Sequence, residues 1–281
     1  MPVVATNTAA NSALRFLNNN SSQASASVGK LASGSRIVKA SDDAAGLAIG
    51  TRLMADVTAL TQAGINASQG ASVVQVADGG LGRIGDVLQR MKALAAQSLS
   101  GVPTNTERGF IDAEFQELRE EITAIAVTTR FNGASLLDGA TAAADAADYF
   151  VGTDVSDTIT VAFTALAGVD AFHATALSLS ATADVATVTA AIEAMTAIDA
   201  AIDLVSEARA TAGALISRFE FRGQQIATSL ENIDAAKSAI MDVDLAAEQS
   251  KLVSNQVLVQ AAVSAVSQAN QIPQSLLRVL Q

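Results

Sequence analysis

Cysteine and tryptophan are absent from this 281-residue sequence, and histidine and tyrosine occur once each. Without cysteine there is no disulfide framework and no thiolate metal site, although this does not separate cytosol from exterior. The single histidine, His173, supplies no His-pair metal site, and no HExxH sequence is present. Aromatic residues make up only 4% of a chain that is half hydrophobic, so Ala, Val, Ile and Leu carry the burial. Such small side chains favour close helix packing over a thick core. No apolar run is long enough for a signal-peptide core or a bilayer span, so membrane insertion is not expected. Any export is expected to proceed without the usual cleaved signal. Acidic residues are missing from the first 41 positions, which carry Arg15, Lys30, Arg36 and Lys39; the remainder carries a net charge of −15, for −11 in all. An acidic body of this kind argues against general nucleic-acid binding. A basic, Ser-rich opening also fits an organellar transit peptide, a reading opposed by the matching segment at the other end.

Both ends read as thin helices. Leu14, Leu17, Ser21, Ala24, Val28 and Leu31 recur at spacings of 3 and 4, the seam of a helical coil. At the far end Leu245, Leu252, Val259 and Val266 form a seven-residue ladder, and Val253, Val257, Leu258 and Val263 spread apolar surface beyond one seam. A helix apolar on several sides calls for several neighbours. Pro273 is expected to limit its extension. Ordering about forty residues costs roughly 1 to 2 kcal/mol each in backbone entropy. Two thin helices pairing alone offset that poorly, whereas many copies stacked about a common axis bury more faces per residue. The ends are therefore expected to be disordered in the monomer and helical in an assembly.

Between the ends the periodicity strengthens. Ile198, Ile202, Val205, Arg209, Ala212, Ile216, Phe219, Gly223 and Ile226 lead a run to Ile240 at spacings of 4 and 3, with its polar members expected at a solvated edge. A matching run holds Leu53, Val57, Leu60, Gly64, Ala67, Ala71, Val74, Leu81 and Leu88, whose small members allow close backbone approach. A third helix opens after Pro103, where Thr104 and Glu107 fit a capping box, and continues through Ile111, Phe115, Leu118, Ile122 and Ile125. The predicted helix interiors contain no proline. In the middle, "RFNGASLLDG" carries an Asn-Gly hairpin signal, and "DTITVAF" alternates Ile159, Val161 and Phe163 as a strand would.

No catalytic constellation emerges. Asp42 with Asp43, and Glu120 with Glu121, are adjacent and on a helix point apart. "DGGLGRIG" lacks the Lys-Ser/Thr of a phosphate loop. The chain is not expected to be an enzyme or to hold a metal or cofactor.

Several ordered segments resemble bacterial flagellin: "SGSRI" followed by "KASDDAAGLAI", then "LTQAGINASQGASVVQVADGGLGRIGDVLQRMKALAAQS", "FNGASLLDG" and the closing "QANQIPQSLLRVL". The resemblance covers roughly residues 1–139 and 187–281. It implies a mainly α fold: a long antiparallel coiled-coil bundle from both halves of the chain, a small hairpin-containing tip, and terminal helices forming a coaxial core pair. The implied organisation is a core helix at 1–33, an interlayer linker at 34–43, rod segments at 44–139 and 187–241, an exposed variable tip at 140–186, and a second core helix at 242–281. Leu14, Leu17, Val28, Leu31, Leu245, Leu252, Val259 and Val266 would pack the filament core. In the linker with Arg36, Gly34 gives a turn, and Ser41, Asp42 and Asp43 cap the incoming helix.

The same resemblance implies a secreted subunit of a helical filament that serves motility, exported unfolded through the flagellar type III apparatus. Its partners would be further copies of itself, the filament cap and hook–filament junction proteins, and an export chaperone gripping Leu252, Val257, Leu258 and Val259. Relatives recognised by Toll-like receptor 5 present an Arg, a Leu four residues later and a Glu on the next helix; here these are Arg90, Leu94 and Glu114. Met91, Lys92 and Ala93 depart from the commonest pattern. A junction protein and a flagellin-like surface receptor for polysaccharide stand as alternatives.

Overall fold

The computed structural model describes residues 7–138, 147–162, 172–175, 177, 179 and 184–279, with side chains as far as residue 271. Among these lie the helices α1 (Thr8–Ser33), α2 (Ala44–Leu99), α3 (Asn105–Thr128), α4 (Val188–Met241) and α5 (Leu245–Val279). Two antiparallel hairpins accompany them: β1 (Arg130–Phe131) with β2 (Ala134–Ser135), and β3 (Ala147–Phe150) with β4 (Thr158–Val161). The expected mainly helical fold is what the chain adopts. It divides into two compact units, Met1–Val57 with Glu231–Gln281, and Thr58–Leu230.

Local chemistry starts each helix. Side-chain oxygens of Asn7, Asp43, Thr187 and Asp244 accept from backbone N–H groups three residues on, at 2.9 to 3.2 Å. The Thr104–Glu107 capping box forms in both directions, with Thr104 N donating to Glu107 at 2.7 Å and Glu107 N to Thr104 Oγ1 at 3.4 Å. The Thr104 N–H, and after it the Thr104 hydroxyl, donate to the Glu107 carboxyl and hold it below its ordinary range. Gly34, at φ +69°, ends α1 in the left-handed conformation that glycine adopts without a Cβ penalty.

In the central unit, α2, α3 and α4 share one core. Leu60, Ala67, Val74, Leu81 and Leu88 of α2 are buried, as expected from their spacing, and so are Ile198, Val205, Ala212, Phe219 and Ile226 of α4. The second stripe of α4 is corrected. It is made by Ala194, Ala201 and Ala208, while Ile202, Ile216 and Gly223 are only half-buried. Three helices meeting at one core draw together on the smallest side chains, and in a sequence so rich in alanine that choice has no local signal. Arg209 takes its solvated edge position by donating to Asp78 at 2.9 Å, and Lys92 pairs with Asp199 at 2.5 Å, both across an antiparallel α2–α4 contact.

The Asn-Gly signal becomes a tight turn with positive φ at Asn132 and Gly133, as a type I′ hairpin requires. Ser135 Oγ ties that hairpin to Ala126 O of α3 at 3.2 Å. In the second hairpin Ile159 and Val161 are buried; Phe163 lies outside the described residues. Tyr149 of β3 meets Phe219 edge-on at 5.5 Å. His173 is half-buried and hydrogen-bonded to Asp138.

A second correction concerns Pro273, which lies within α5 rather than beyond it. A proline removes one N–H from the helix ladder and leaves the carbonyl four residues back without its donor. Here that carbonyl is Ala269 O, and it accepts from Asn7 Nδ2 at 2.9 Å. A tertiary bond thus replaces the missing helical one.

Candidate functional site

The terminal unit holds the residues for which assembly is expected. Its two long helices, α1 and α5, run antiparallel, tied by Asn7 to Ala269 at one end and by Ser27 Oγ to Glu248 Oε1, at 2.6 Å, towards the other. Residues turned inward on α1 recur as Ala10, Ala13, Leu17, Ala24, Ser27 and Leu31; on α5 they include Glu248, Leu252, Val259, Ala262, Val266 and Ala269. Leu17, Leu31, Leu252, Val259 and Val266 therefore take part in this pairing. Leu14 and Val28 do not, nor does Leu245, which is 58% exposed.

The expected α1 stripe and the observed one share Leu17, Ala24 and Leu31 and differ at every alternate position. Both satisfy the 3 and 4 spacing. The partner helix settles on the smaller side chains, and the larger ones stay outside. As a result Phe16 is 59% and Val257 62% exposed, with Leu14, Val28, Val253, Leu258 and Val263 also open. Among the described residues, nothing covers these two apolar faces.

Glu248 is a buried carboxylate in a seam whose other inward residues are apolar or uncharged. The Ser27 hydroxyl donates to it, Lys251 Nζ reaches its other oxygen at 3.3 Å, and Lys30 adds positive potential. Chiefly through the Ser27 bond, its carboxyl is held below the ordinary range. Sequence reading missed this group, because a glutamate in a first helical turn reads as a dipole partner.

The loop between α1 and α2 is stitched to the break between α4 and α5. Arg36 N donates to Met241 O at 2.6 Å, Val243 N to Gly34 O at 3.1 Å, and Ser35 Oγ lies 3.1 Å from Met241 O. The last carbonyl of α4 is satisfied in this way. The Met241 side chain rests on Gly50, where a Cβ would fall 2.4 Å from its sulfur. Asp43 caps α2, whereas Asp42 turns back to accept from Val38 N and Lys39 N at 3.1 and 3.0 Å, which lowers its pKa. Ser41 is exposed.

In the central unit Arg90 bonds Glu114 at 2.6 Å, and both side chains are exposed. Leu94 is not beside them at the surface: it is 2% exposed, packed in the core. Arg108, another residue that sequence reading passed over, is buried. It clamps the end of α2 by donating to Ser98 O at 2.9 Å and Ser100 O at 3.2 Å, and to Asn105 Oδ1 at 3.1 Å.

Among the described residues no group of three metal-ligating side chains occurs, and no helix is long and apolar enough to cross a membrane. Helices from both chain ends are thus paired to each other, and each carries exposed apolar surface. The bacterial flagellin N-terminal helical region matches residues 4–142, and the bacterial flagellin C-terminal helical region matches residues 195–280. The chain belongs to the bacterial flagellin family. It is 37% identical to the flagellin of Halalkalibacterium halodurans over 98% of both chains, and 34% identical to that of Bacillus subtilis, again over 98% of both. It is 33% identical over 95% of each chain to a flagellar filament 30.7 kDa core protein of Treponema maltophilum. The crystal structure of Bacillus cereus flagellin superposes with a TM-score of 0.51 at 26% identity, covering 62% of this chain and 94% of that one.

This flagellin is a structural subunit that polymerises into the extracellular flagellar filament of motility, and it is not an enzyme. Matches to flagellins along nearly the whole length do not favour the junction-protein or polysaccharide-receptor alternatives.

Proposed function

We propose that α1 and α5 line the inner core of the filament, and that residues 34–43 link this layer to a surrounding one made by residues 44–139 and 187–241, with 140–186 as the exposed tip. The observation that carries this reading is the apolar surface left on both helices after they pair, at Leu14, Phe16 and Val28 on one and Leu245, Val257 and Leu258 on the other. Faces of that kind are buried by further copies. Subunits stacking through unlike surfaces extend without closing, as a growing filament requires. The chain ends gain their order from those neighbours. Seeded polymerisation of Phe16→Asp and Val257→Asp subunits tests the reading. Both are expected to keep the thermal unfolding of the central unit and to lose filaments in electron micrographs; filaments of normal length from both would refute it.

In this reading the subunit travels unfolded through the type III export apparatus and meets the junction and cap proteins at the two ends of the filament. The export chaperone grips α5 before it pairs with α1, because Leu252 and Val259 face α1 in the pair while Val257 and Leu258 do not. Toll-like receptor 5, where it binds, engages the exposed Arg90 and Glu114, with Leu94 holding the helix beneath. Equal binding of the receptor ectodomain to wild-type monomer and Arg90→Ala would remove that partner.

A further inference from the structure

We infer that Pro273 and Asn7 act as a matched pair, the proline freeing one carbonyl on α5 so that the cap of α1 can dock there. Along a helix every interior carbonyl is occupied by the N–H four residues ahead, so the backbone presents no feature that distinguishes one turn from the next. A proline breaks that uniformity at one carbonyl. Pro273 has no N–H for Ala269 O, and Asn7 supplies the donor from residues 262 positions away, at 2.9 Å.

Asn7 is suited to this by having an acceptor and a donor on one short side chain. Its Oδ1 accepts from Ala10 N at 3.0 Å and caps α1, while its Nδ2 reaches Ala269 O. Starting α1 and seating α1 on α5 are thus done by the same amide. Ala10 and Ala269 are both buried beside the contact and the bond is part-buried, so a carbonyl left unpaired there would be partly shielded from water. Ser27 and Glu248 hold the pair towards its other end. On the α1 side the seam between them is mostly alanine, at Ala10, Ala13 and Ala24 with Leu17, so few large side chains there oppose sliding or fraying, which makes the outer contact a positioning one.

This inference rests on the filament-core reading only for the state in which the two helices are paired. Electron micrographs of the filament report on that reading, and a cross-link within the subunit reports on the inference. The chain has no cysteine, so an introduced pair is unambiguous. Counting from the two cross-helix bonds places Ala10 opposite Val266, and Ala10→Cys with Val266→Cys is expected to form a disulfide in assembled filaments. Adding Pro273→Ala restores the helical N–H and strengthens α5 as a helix, yet is expected to slow that cross-link several-fold. Adding Asn7→Asp keeps the capping oxygen and removes the donor, and is expected to slow it equally; the two changes together do no more than either alone. Asn7→Gln, which retains a donor, is expected to recover part of the rate. An unchanged rate in Pro273→Ala, or independent and additive losses, overturns the inference. Should Pro273→Ala block assembly, the comparison of Asn7→Asp with Asn7→Gln decides it alone: equal rates refute the proposal, and a faster Gln variant supports it.

Discussion

Ser27 and Glu248, 221 residues apart in sequence, share a 2.6 Å hydrogen bond in the buried seam of the terminal helix pair. A charged group in that position is costly unless it is paired, and here a hydroxyl and the Lys251 ammonium pair it.

The bond makes terminal pairing depend on pH. Glu248 titrates below the ordinary 4.5 of its side chain when folded, so the unfolded state binds the proton more readily. Its stabilisation is complete above the unfolded value and is lost as pH falls through the folded one. Acid melting of filaments, followed by circular dichroism, is expected to show Glu248→Gln weaker than wild type at neutral pH and converging with it in acid. A difference that stays constant with pH would contradict this. Ser27→Ala, which removes the main donor, is expected to cost about 1–3 kcal/mol at neutral pH.

Two glycines of α2 are expected to respond oppositely to alanine. At Gly70 a Cβ would lie 2.6 Å from the buried ring of Phe219, whereas at Gly79 nothing lies within 4 Å. Alanine is the better helix former by about 1 kcal/mol at either site. Overpacking against a ring already in contact with Tyr149 is expected to outweigh that gain, making Gly70→Ala destabilising by about 1–2 kcal/mol. Gly79→Ala is expected to raise the melting temperature of the central unit. Thermal unfolding of the two variants side by side is the check, and a rise in both would show that the Phe219 ring moves aside freely.

Arg108 bonds carbonyls at the end of α2 and the Asn105 side chain, with no carboxylate among these partners. Arg108→Met keeps much of the stem and leaves those carbonyls unpaired, at an expected cost of about 2–3 kcal/mol. Lysine lacks the planar fork and is expected to recover less than half of it. Denaturant unfolding of wild type, Arg108→Met and Arg108→Lys measures this, and a lysine variant as stable as wild type would show that charge alone suffices.

Much of the architecture was legible beforehand because its signals are short in range. Thr104 with Glu107, Asn132 with Gly133, and Gly34 before the Asp43 cap each act within a few residues, and the structure forms every one of these local elements. Large residues at heptad spacing, such as Leu81, Leu88, Val205 and Phe219, declared the buried face of the long helices in the same way. The family resemblance joined these pieces into a filament subunit.

Only the tertiary structure decided which of two overlapping stripes on α1 meets α5, and that the second stripe of α4 is alanine. Alanine occurs on every face of these helices, so its spacing has no phase; the choice is made by how closely another helix approaches. Tertiary contact likewise turned Glu248, Arg108 and Pro273 from ordinary helix residues into a buried acid, a clamp and the source of a free carbonyl. Their partners, Ser27, Ser98 and Asn7, meet them only when separate helix segments have packed, and a backbone carbonyl is the same group at every position until one of them lacks a donor.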